Sequence, residues 1–256
     1  MVPRRPPSHE KDAGGDPKVL AAKAELRREV WSAMQRSGAA RFPGAEGRIP
    51  NFIGAEAAAE RLRGTAQWQK AGTVKANPDS PQLPVRQRAL EDGMTVYLAV
   101  PRLAADKPFF ALDPAALTVS PRQAASIGGA GRHGQPVDVA DLRPVDLVVA
   151  GCVAVARDGA RLGKGGGFSD LEYALAWEAG LIGPATVVAT TVHDAQVVEA
   201  GRIPVTAHDF PLDLIVTPGE VIHCRGRRRR PAGKLRWDEL TEDKIAAIPL
   251  LRRLRP

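Results

Sequence analysis

Two patterns of apolar residues alternate along the chain. Leu26, Val30 and Met34 recur every four residues, which places them on one helical face and predicts a helix over Val19–Arg36. Further stretches predict helices at Ala55–Leu62, Val85–Asp92 and Leu171–Ala179. Short continuous apolar runs predict the strands Thr73–Ala76, Thr95–Val100, Asp146–Ala150, Ala185–Thr190 and Leu212–Val216.

Apolar strands that alternate with helices indicate an α/β fold. Such strands form a mainly parallel sheet whose two faces are both covered. No change of composition divides the core, so we predict one domain over residues 18–224, between a tail at 1–17 and a basic extension at 225–256. Ligands of these sheets bind at the carboxyl ends of strands, and polar turns follow Ala76, Val100 and Ala150.

The N-terminal residues and the two cysteines indicate in which cellular compartment the protein is expected. Met1–Pro17 is polar and rich in Pro and Gly, so we expect it to be disordered, and it lacks the apolar centre of a secretory signal. No apolar run reaches the roughly 18 residues of a membrane span. Cys152 and Cys224 do not make a disulfide framework, so a cytoplasmic protein is expected.

The chain is basic, with a formal net charge of +7 and a pI of about 9.8. A basic surface attracts anions, nucleic acid included. Much of the excess lies in two clusters near the end, Arg225 with Arg227–Arg230, and Arg252 with Arg253 and Arg255. We interpret both as solvated charge, with nucleic-acid contact as the less favoured alternative, because no zinc-ligand spacing or aromatic RNA-binding signature accompanies them.

A glycine-rich loop, RLGKGGGFSD over Arg161–Asp170, is the strongest local motif. It follows an apolar strand and opens a helix, so its backbone amides and the helix N-terminus would attract phosphate, helped by Arg161 and Lys164. It is neither a P-loop nor a Rossmann fingerprint, since the required residues are absent. Asp170 is placed as a helix cap or as a magnesium ligand, and a plain flexible turn is the bland alternative.

Two more polar features stand apart from this loop. Lys23 and Arg27 are four residues apart, so both cations project from one stripe of the first helix. His208-Asp209 is a polar island just before the last predicted strand, and such a pair is usually a loop feature.

Several segments together resemble the 5-formyltetrahydrofolate cyclo-ligase family, also called methenyltetrahydrofolate synthetase. The resemblance runs from about Lys18 to Ile222 and rests on KAELR at Lys23–Arg27, the glycine loop, Gln196–Pro204 and HDFPLDLIVT at His208–Thr217. A divergent branch, the synthetase-domain-containing proteins, is resembled at RFP (41–43), RIPNF (48–52), GGGFSDLEY (165–173), Trp237 and IPL (248–250).

The resemblance implies a three-layer α/β sandwich that uses ATP and magnesium to convert 5-formyltetrahydrofolate into 5,10-methenyltetrahydrofolate, ADP and phosphate. It assigns roles by position. The ATP-binding residues would be Lys23, Arg27, Arg161 and Gly163. The residues beside the reacting groups would be Lys164, Gly165, Gly166 and Gly167. The folate would meet Asn77, Gln82 and Phe168, and the metal would be held by Asp170 and Asp209.

Two departures separate this chain from the family pattern. Phe168-Ser169 stands where the family commonly has two aromatic residues, and Gln82 stands near the place of a glutamate that reads the pterin. A neutral glutamine offers one acceptor and one donor group where a glutamate accepts two hydrogen bonds. The phosphate half of the site therefore looks intact and the folate half altered.

Three alternatives stay open beside the cyclo-ligase. The first is an ATP-dependent enzyme that acts on another formylated or amide substrate. The second is a non-catalytic nucleotide- or nucleic-acid-binding protein. The third is a sugar-phosphate isomerase on a related scaffold, for which fold analogy is the only warrant.

Overall fold

The computed structural model describes residues 16–224 and 235–256. Within these ranges the strands are β1 Thr73–Ala76, β2 Thr95–Ala99, β3 Phe109–Leu112, β4 Gln135–Val137, β5 Leu147–Val149, β6 Ala154–Ala156, β7 Arg161–Leu162, β8 Val187–Thr191, β9 Val197–Val198, β10 Leu214–Val216 and β11 Val221–His223. The helices are α1 Pro17–Arg36, α2 Ala55–Arg63, α3 Ala66–Gln69, α4 Leu83–Glu91, α5 Pro121–Ala124, α6 Ile127–His133, α7 Phe168–Glu178, α8 Glu242–Ala247 and α9 Pro249–Leu254.

The central sheet has eight strands in the order β11-β10-β8-β5-β1-β2-β3-β4. Its inner strands, from β10 to β2, pair in parallel, and the outer strands β11, β3 and β4 pair antiparallel. The mainly parallel sheet predicted from the sequence is thus confirmed. The antiparallel edge strands were missed because they are short and lie outside the alternation of strands and helices.

Alternate side chains of each inner strand pack against helices on opposite faces of the sheet, as strand geometry requires. On β2, Tyr97 and Ala99 join the cluster formed with α7, α8 and α9, whereas Val96 and Leu98 join the cluster formed with α2 to α6. The sheet is therefore the middle of three layers, which confirms the three-layer α/β fold.

A second, three-stranded sheet in the order β7-β6-β9 lies beside the large one. The apolar face of α1, with Leu26, Val30 and Met34, packs in one cluster with Ala154 of β6 and Leu162 of β7. This small sheet was not predicted, since two of its strands have only two residues each. It places α1 next to the strand from which the glycine loop leaves.

The helices α1 and α7 both begin earlier than predicted. The predicted tail lies outside the described residues except for Asp16 and Pro17, and Pro17 begins α1 because the Asp16 side chain caps it by accepting from the Lys18 N–H at 2.8 Å. The helix α7 begins at Phe168 rather than Leu171, since Gly167, at φ 64°, turns the chain directly into the helix.

The closing segment, predicted as a basic extension, packs on the domain where it is described. Ile245, Ile248 and Leu251 are buried in the cluster that covers one face of the sheet, because apolar residues recur among the charged ones at helical spacing. Arg253 and Arg255 bind Asp138 and Glu242. The cluster of Arg225 and Arg227–Arg230 lies outside the described residues.

Among residues 16–224 and 235–256, none of the helices has the length and apolarity that crossing a bilayer requires.

We expect Leu251→Ala to lower the free energy of unfolding by about 2–5 kcal/mol, because Leu251 is fully buried and its truncation leaves a cavity. Leu254 lies on the same helix and is 46% exposed, so Leu254→Ala should cost less than about 0.5 kcal/mol. Urea titration of both variants measures the difference. Equal effects would show that the closing helix does not pack on the core.

Candidate active site

The carboxyl ends of neighbouring strands open into one pocket. Because β1, β2 and β5 are parallel, the turns that follow them meet at the same edge of the sheet. The pocket has a volume of about 390 Å³, and its lining includes residues 77–79, 100–102 and Gly151 from these three turns. The polar turns picked out in the sequence therefore form a single site.

The candidate residues converge on this pocket. Every residue proposed from the sequence lines it, with the exception of Gln82. They arrive from distant parts of the chain: α1, the turn after β1, the glycine loop with the start of α7, and the loop before β10. Their convergence is an observation about position, and the roles assigned to them remain predictions.

Within the glycine-rich motif, residues 163–167 form the loop itself, which runs along the pocket from β7 to α7. Gly165 and Gly167 have φ angles of 107° and 64°, a region that side chains disfavour. A Cβ on Gly165 would lie 3.4 Å from Cζ of Arg27. Glycine is therefore needed here both for the backbone conformation and for the close approach of α1.

Two buried cations on α1 bind two different loops that line the pocket. Lys23 Nζ donates to Asp209 Oδ2 at 2.8 Å, and Arg27 Nε donates to the Gly163 carbonyl at 2.8 Å. Their residues are only 5% and 8% exposed. Because they are one helical turn apart, a single face of α1 places both charges at the pocket.

Arg161 lies beneath the glycine loop and is buried. Its Nη2 bonds Asp170 Oδ1, and its guanidinium carbon stacks 3.7 Å from the centre of the Phe210 ring. Asp170 is the third residue of α7, while the N-cap is Gly167 and no side chain caps the helix. The alternative role of Asp170 as a helix cap is therefore wrong.

Asp209 is held by several donors. Oδ2 accepts from Lys23 and from the Thr206 N–H and Oγ1, at 2.7 and 2.8 Å. Burial alone would raise the pKa of Asp209, but the Lys23 ammonium, the Thr206 amide and the Arg161 charge together hold this pKa below its usual value. Asp209 is therefore a carboxylate that stays ionised in the pocket.

Asp170 and Asp209 are the residues that could hold a magnesium ion. Both line the pocket, and Arg161 interacts electrostatically with both carboxylates. In the described ranges no group of three or more His, Cys, Asp or Glu side chains forms a metal cage. Magnesium commonly takes one or two carboxylates and fills its shell with phosphate oxygens and water, so this donor set fits a metal that arrives with phosphate.

A buried polar cluster borders the pocket through Asn77 and Glu172, and sequence reasoning proposed Asn77 but missed Lys75 and Glu172. Lys75 Nζ on β1 pairs with Glu172 Oε2 on α7, and both side chains are 6% exposed. Asn77 Nδ2 also donates to Glu172 Oε2, at 3.2 Å, and Asn77 Oδ1 accepts from the Gly151 N–H and the Ser169 hydroxyl. Asn77 thus joins the turn after β1 to the start of α7, and Glu172 brings an unexpected carboxylate to the site.

Gln82 lies behind the pocket wall. It is fully buried, its Nε2 donates to the Thr191 carbonyl at 3.3 Å, and its Oε1 has no hydrogen-bond partner among the described residues. Oε1 lies 3.1 Å from the position that a Cβ on Gly151 would take. The glutamine that distinguishes this chain therefore contacts the wall rather than the open pocket.

Comparison with known proteins assigns the family. Residues 19–218 match the profile described as the 5-formyltetrahydrofolate cyclo-ligase family. The chain belongs to this family. Every candidate residue that lines the pocket lies inside the matched segment.

This chain also resembles individual proteins. The methenyltetrahydrofolate synthase domain-containing proteins of Bos taurus and Homo sapiens are 36% and 34% identical over 242 and 239 residues, which is 94% and 93% of this chain. The chain spans only 63% and 62% of the length of those two proteins. The 5-formyltetrahydrofolate cyclo-ligase of Escherichia coli (strain K12) is 32% identical over 143 residues, which cover 54% of this chain and 71% of that protein.

A similar fold is also seen in a solved structure, the NMR structure of Aquifex aeolicus 5,10-methenyltetrahydrofolate synthetase. It aligns with a TM-score of 0.52 at 22% identity and covers 80% of this chain and 94% of that chain. This likeness supports the α/β architecture described above.

We expect acid to destabilise the protein partly through Asp209. Its pKa is depressed in the folded state, so its contribution to stability is present above the unfolded pKa of about 3.9 and is lost as the pH falls through the folded pKa. The Asp209→Asn variant should therefore be less stable than wild type at neutral pH. Below about pH 5 its free energy of unfolding should fall less than that of wild type.

Urea titrations at a series of pH values measure this, with Asp194→Asn as an exposed control. Parallel stability curves for wild type and Asp209→Asn across the acid range would contradict the assignment.

Proposed function

We propose that this chain is a ligase that uses magnesium and ATP to cyclise 5-formyltetrahydrofolate to 5,10-methenyltetrahydrofolate, with release of ADP and phosphate. The observation that carries the proposal is the convergence of Lys23, Arg27, Arg161 and the glycine loop on one pocket that also holds the carboxylates of Asp170 and Asp209. Membership of the cyclo-ligase family supports the substrate class.

The chemical difficulty lies in the formamide, whose oxygen is a poor leaving group. ATP supplies a phosphoryl group to that oxygen, so that N10 can attack the formyl carbon, close the ring, lose its proton and expel phosphate. None of these reaction steps requires a covalent bond between the protein and a substrate. The work of its residues is to position the two substrates and to stabilise charge.

The phosphate half of the site is built from fixed donors. Lys23 and Arg27 bring two charges to the pocket from one face of α1, and both are already held in place by protein oxygens. The backbone amides of the glycine loop and the N-terminus of α7 favour an anion at the same place. Asp170 and Asp209 would hold the magnesium ion that accompanies the phosphates.

The folate half of the site combines apolar walls and a polar floor. Phe168, Ile49 and Val100 line the pocket with apolar surface suited to an aromatic ring system. Asn77 and Glu172 offer polar atoms at its floor. We assign the recognition of hydrogen-bond donors on the substrate to Glu172, whose carboxylate borders the pocket, whereas Gln82 acts behind the wall.

A second candidate is the same reaction type on a different formylated or amide substrate. In its favour, Gln82 stands near the place where the family resemblance implies a glutamate, and a buried Lys75–Glu172 pair lies beside the pocket.

Both free thiols, Cys152 and Cys224, are compatible with the reducing cytoplasm, where we place either reaction.

Purified protein with magnesium-ATP and 5-formyltetrahydrofolate tests the proposal. We expect the near-ultraviolet absorbance of the methenyl product to appear only when ATP and magnesium are both present. Magnesium-dependent release of phosphate with another formamide, but without methenyl formation, would instead support the second candidate. Neither product from correctly folded protein would overturn the proposed function.

Lys23→Gln should weaken ATP binding by about 10- to 100-fold, because it removes one charge-assisted contact worth roughly 1.5–3 kcal/mol. Lys18, an exposed residue at the start of the same helix, provides the control, and Lys18→Gln should leave the affinity unchanged. Calorimetric titration with a non-hydrolysable ATP analogue gives both values. Equal affinity in the two variants would remove α1 from the nucleotide site.

A further inference from the structure

The segment after residue 218 lies beyond the matched family profile, yet it contacts two loops that line the pocket. Lys244 on α8 donates from Nζ to the Gly166 carbonyl at 2.9 Å. Glu239, shortly before α8, lies 2.7 Å from Nδ1 of His208, the neighbour of Asp209. The closing segment thus contacts both the glycine loop and the loop that carries Asp209.

The position of Lys244 is fixed from both sides. Ile245, the next residue, is buried in the core, and the Thr241 hydroxyl caps α8 by accepting from the Lys244 N–H at 3.2 Å. Nζ also lies 5.0 Å from the centre of the Phe168 ring, within the range of a cation–π contact. The bond to the glycine loop is therefore made by an anchored side chain.

The contact falls at the point where the loop becomes a helix. Gly167 is the left-handed N-cap of α7, and a Cβ at this position would lie 3.0 Å from Lys244 Nζ. Glycine at 167 thus serves both the backbone conformation and the approach of the lysine. The helix that begins here carries Asp170 and Glu172 into the pocket.

The bond also sets the orientation of one peptide group. In a planar trans peptide the C=O and the N–H point in opposite directions. Since the Gly166 carbonyl is turned to Lys244, the Gly167 N–H is turned away from it. Gly166 and Gly167 both line the pocket, whereas Lys244 is not among its lining residues.

We infer that Lys244 is a positioning residue of this site: from outside the family segment, it fixes the Gly166–Gly167 peptide so that its N–H faces the group undergoing phosphoryl transfer. A fixed donor aimed at developing charge stabilises a transition state because it need not reorient during the reaction. The kinetic part of this inference rests on the proposed function, whereas the structural part does not.

Three full-length variants test the inference. Lys244→Met removes the donor and keeps most of the stem, Lys244→Arg keeps a cationic donor, and Arg255→Met is the control. Arg255 belongs to the same closing segment and pairs with Glu242 away from the pocket. Hydrogen exchange of the peptide that spans residues 163–168 is measured together with steady-state kinetics.

We expect Lys244→Met to speed exchange in the loop by roughly tenfold, through loss of a charge-assisted hydrogen bond. Its kcat should fall by about 10- to 100-fold with little change in the KM for the folate, because misplacement of a reacting group affects the chemical step. Lys244→Arg should restore most of both properties, and Arg255→Met should match wild type.

The inference would be overturned if Lys244→Met and Arg255→Met had the same loop exchange and the same kcat. A KM increase without a kcat change would also overturn it, since Lys244 would then act only in binding. If wild type shows no cyclo-ligase turnover, the proposed function fails, and loop exchange in Lys244→Met and Lys244→Arg still decides the structural part. Should Lys244→Met not fold, the same exchange measurement on Lys244→Gln decides it.

Discussion

The site depends on two buried cations of one helix that join parts of the chain far apart in sequence. Lys23 is bound to Asp209, 186 positions away, and Arg27 to the Gly163 carbonyl, 136 positions away. Removing charged groups from water is costly unless they are paired and hydrogen-bonded, so these partners are what make the burial of both cations possible. In return, α1 keeps the glycine loop and the loop of Asp209 at a fixed separation.

This arrangement keeps buried cations at the pocket, where an anion could bind. Arg161 pairs with Asp170 and Lys23 with Asp209, so each of these two cations is balanced by a carboxylate. Incoming phosphate would compete for the cations and would leave the two carboxylates available to a metal ion. A divalent cation that entered with the phosphate would satisfy both changes at once, so under the proposed function the binding of magnesium would be coupled to that of the nucleotide.

The parts of this site that sequence could predict are those whose chemistry is local. The helical spacing of Lys23 and Arg27 can be recognised from a few consecutive residues, and so can the glycine loop before α7. The buried pair of Lys75 and Glu172 was not predictable in this way, because its members are 97 positions apart and each resembles an ordinary residue of its own strand or helix. The same holds for Lys244, which looks like a solvated charge until the packing of Ile245 fixes its helix against the loop.

Isotopic labelling tests the proposed transfer of a phosphoryl group to the formyl oxygen. The protein would be given magnesium-ATP and 5-formyltetrahydrofolate whose formyl oxygen carries a heavy isotope, and the phosphate released would be analysed by mass spectrometry. We expect the heavy oxygen to appear in inorganic phosphate in proportion to the methenyl product formed. Unlabelled phosphate alongside methenyl product would contradict it, because the formyl oxygen would then have left by another route.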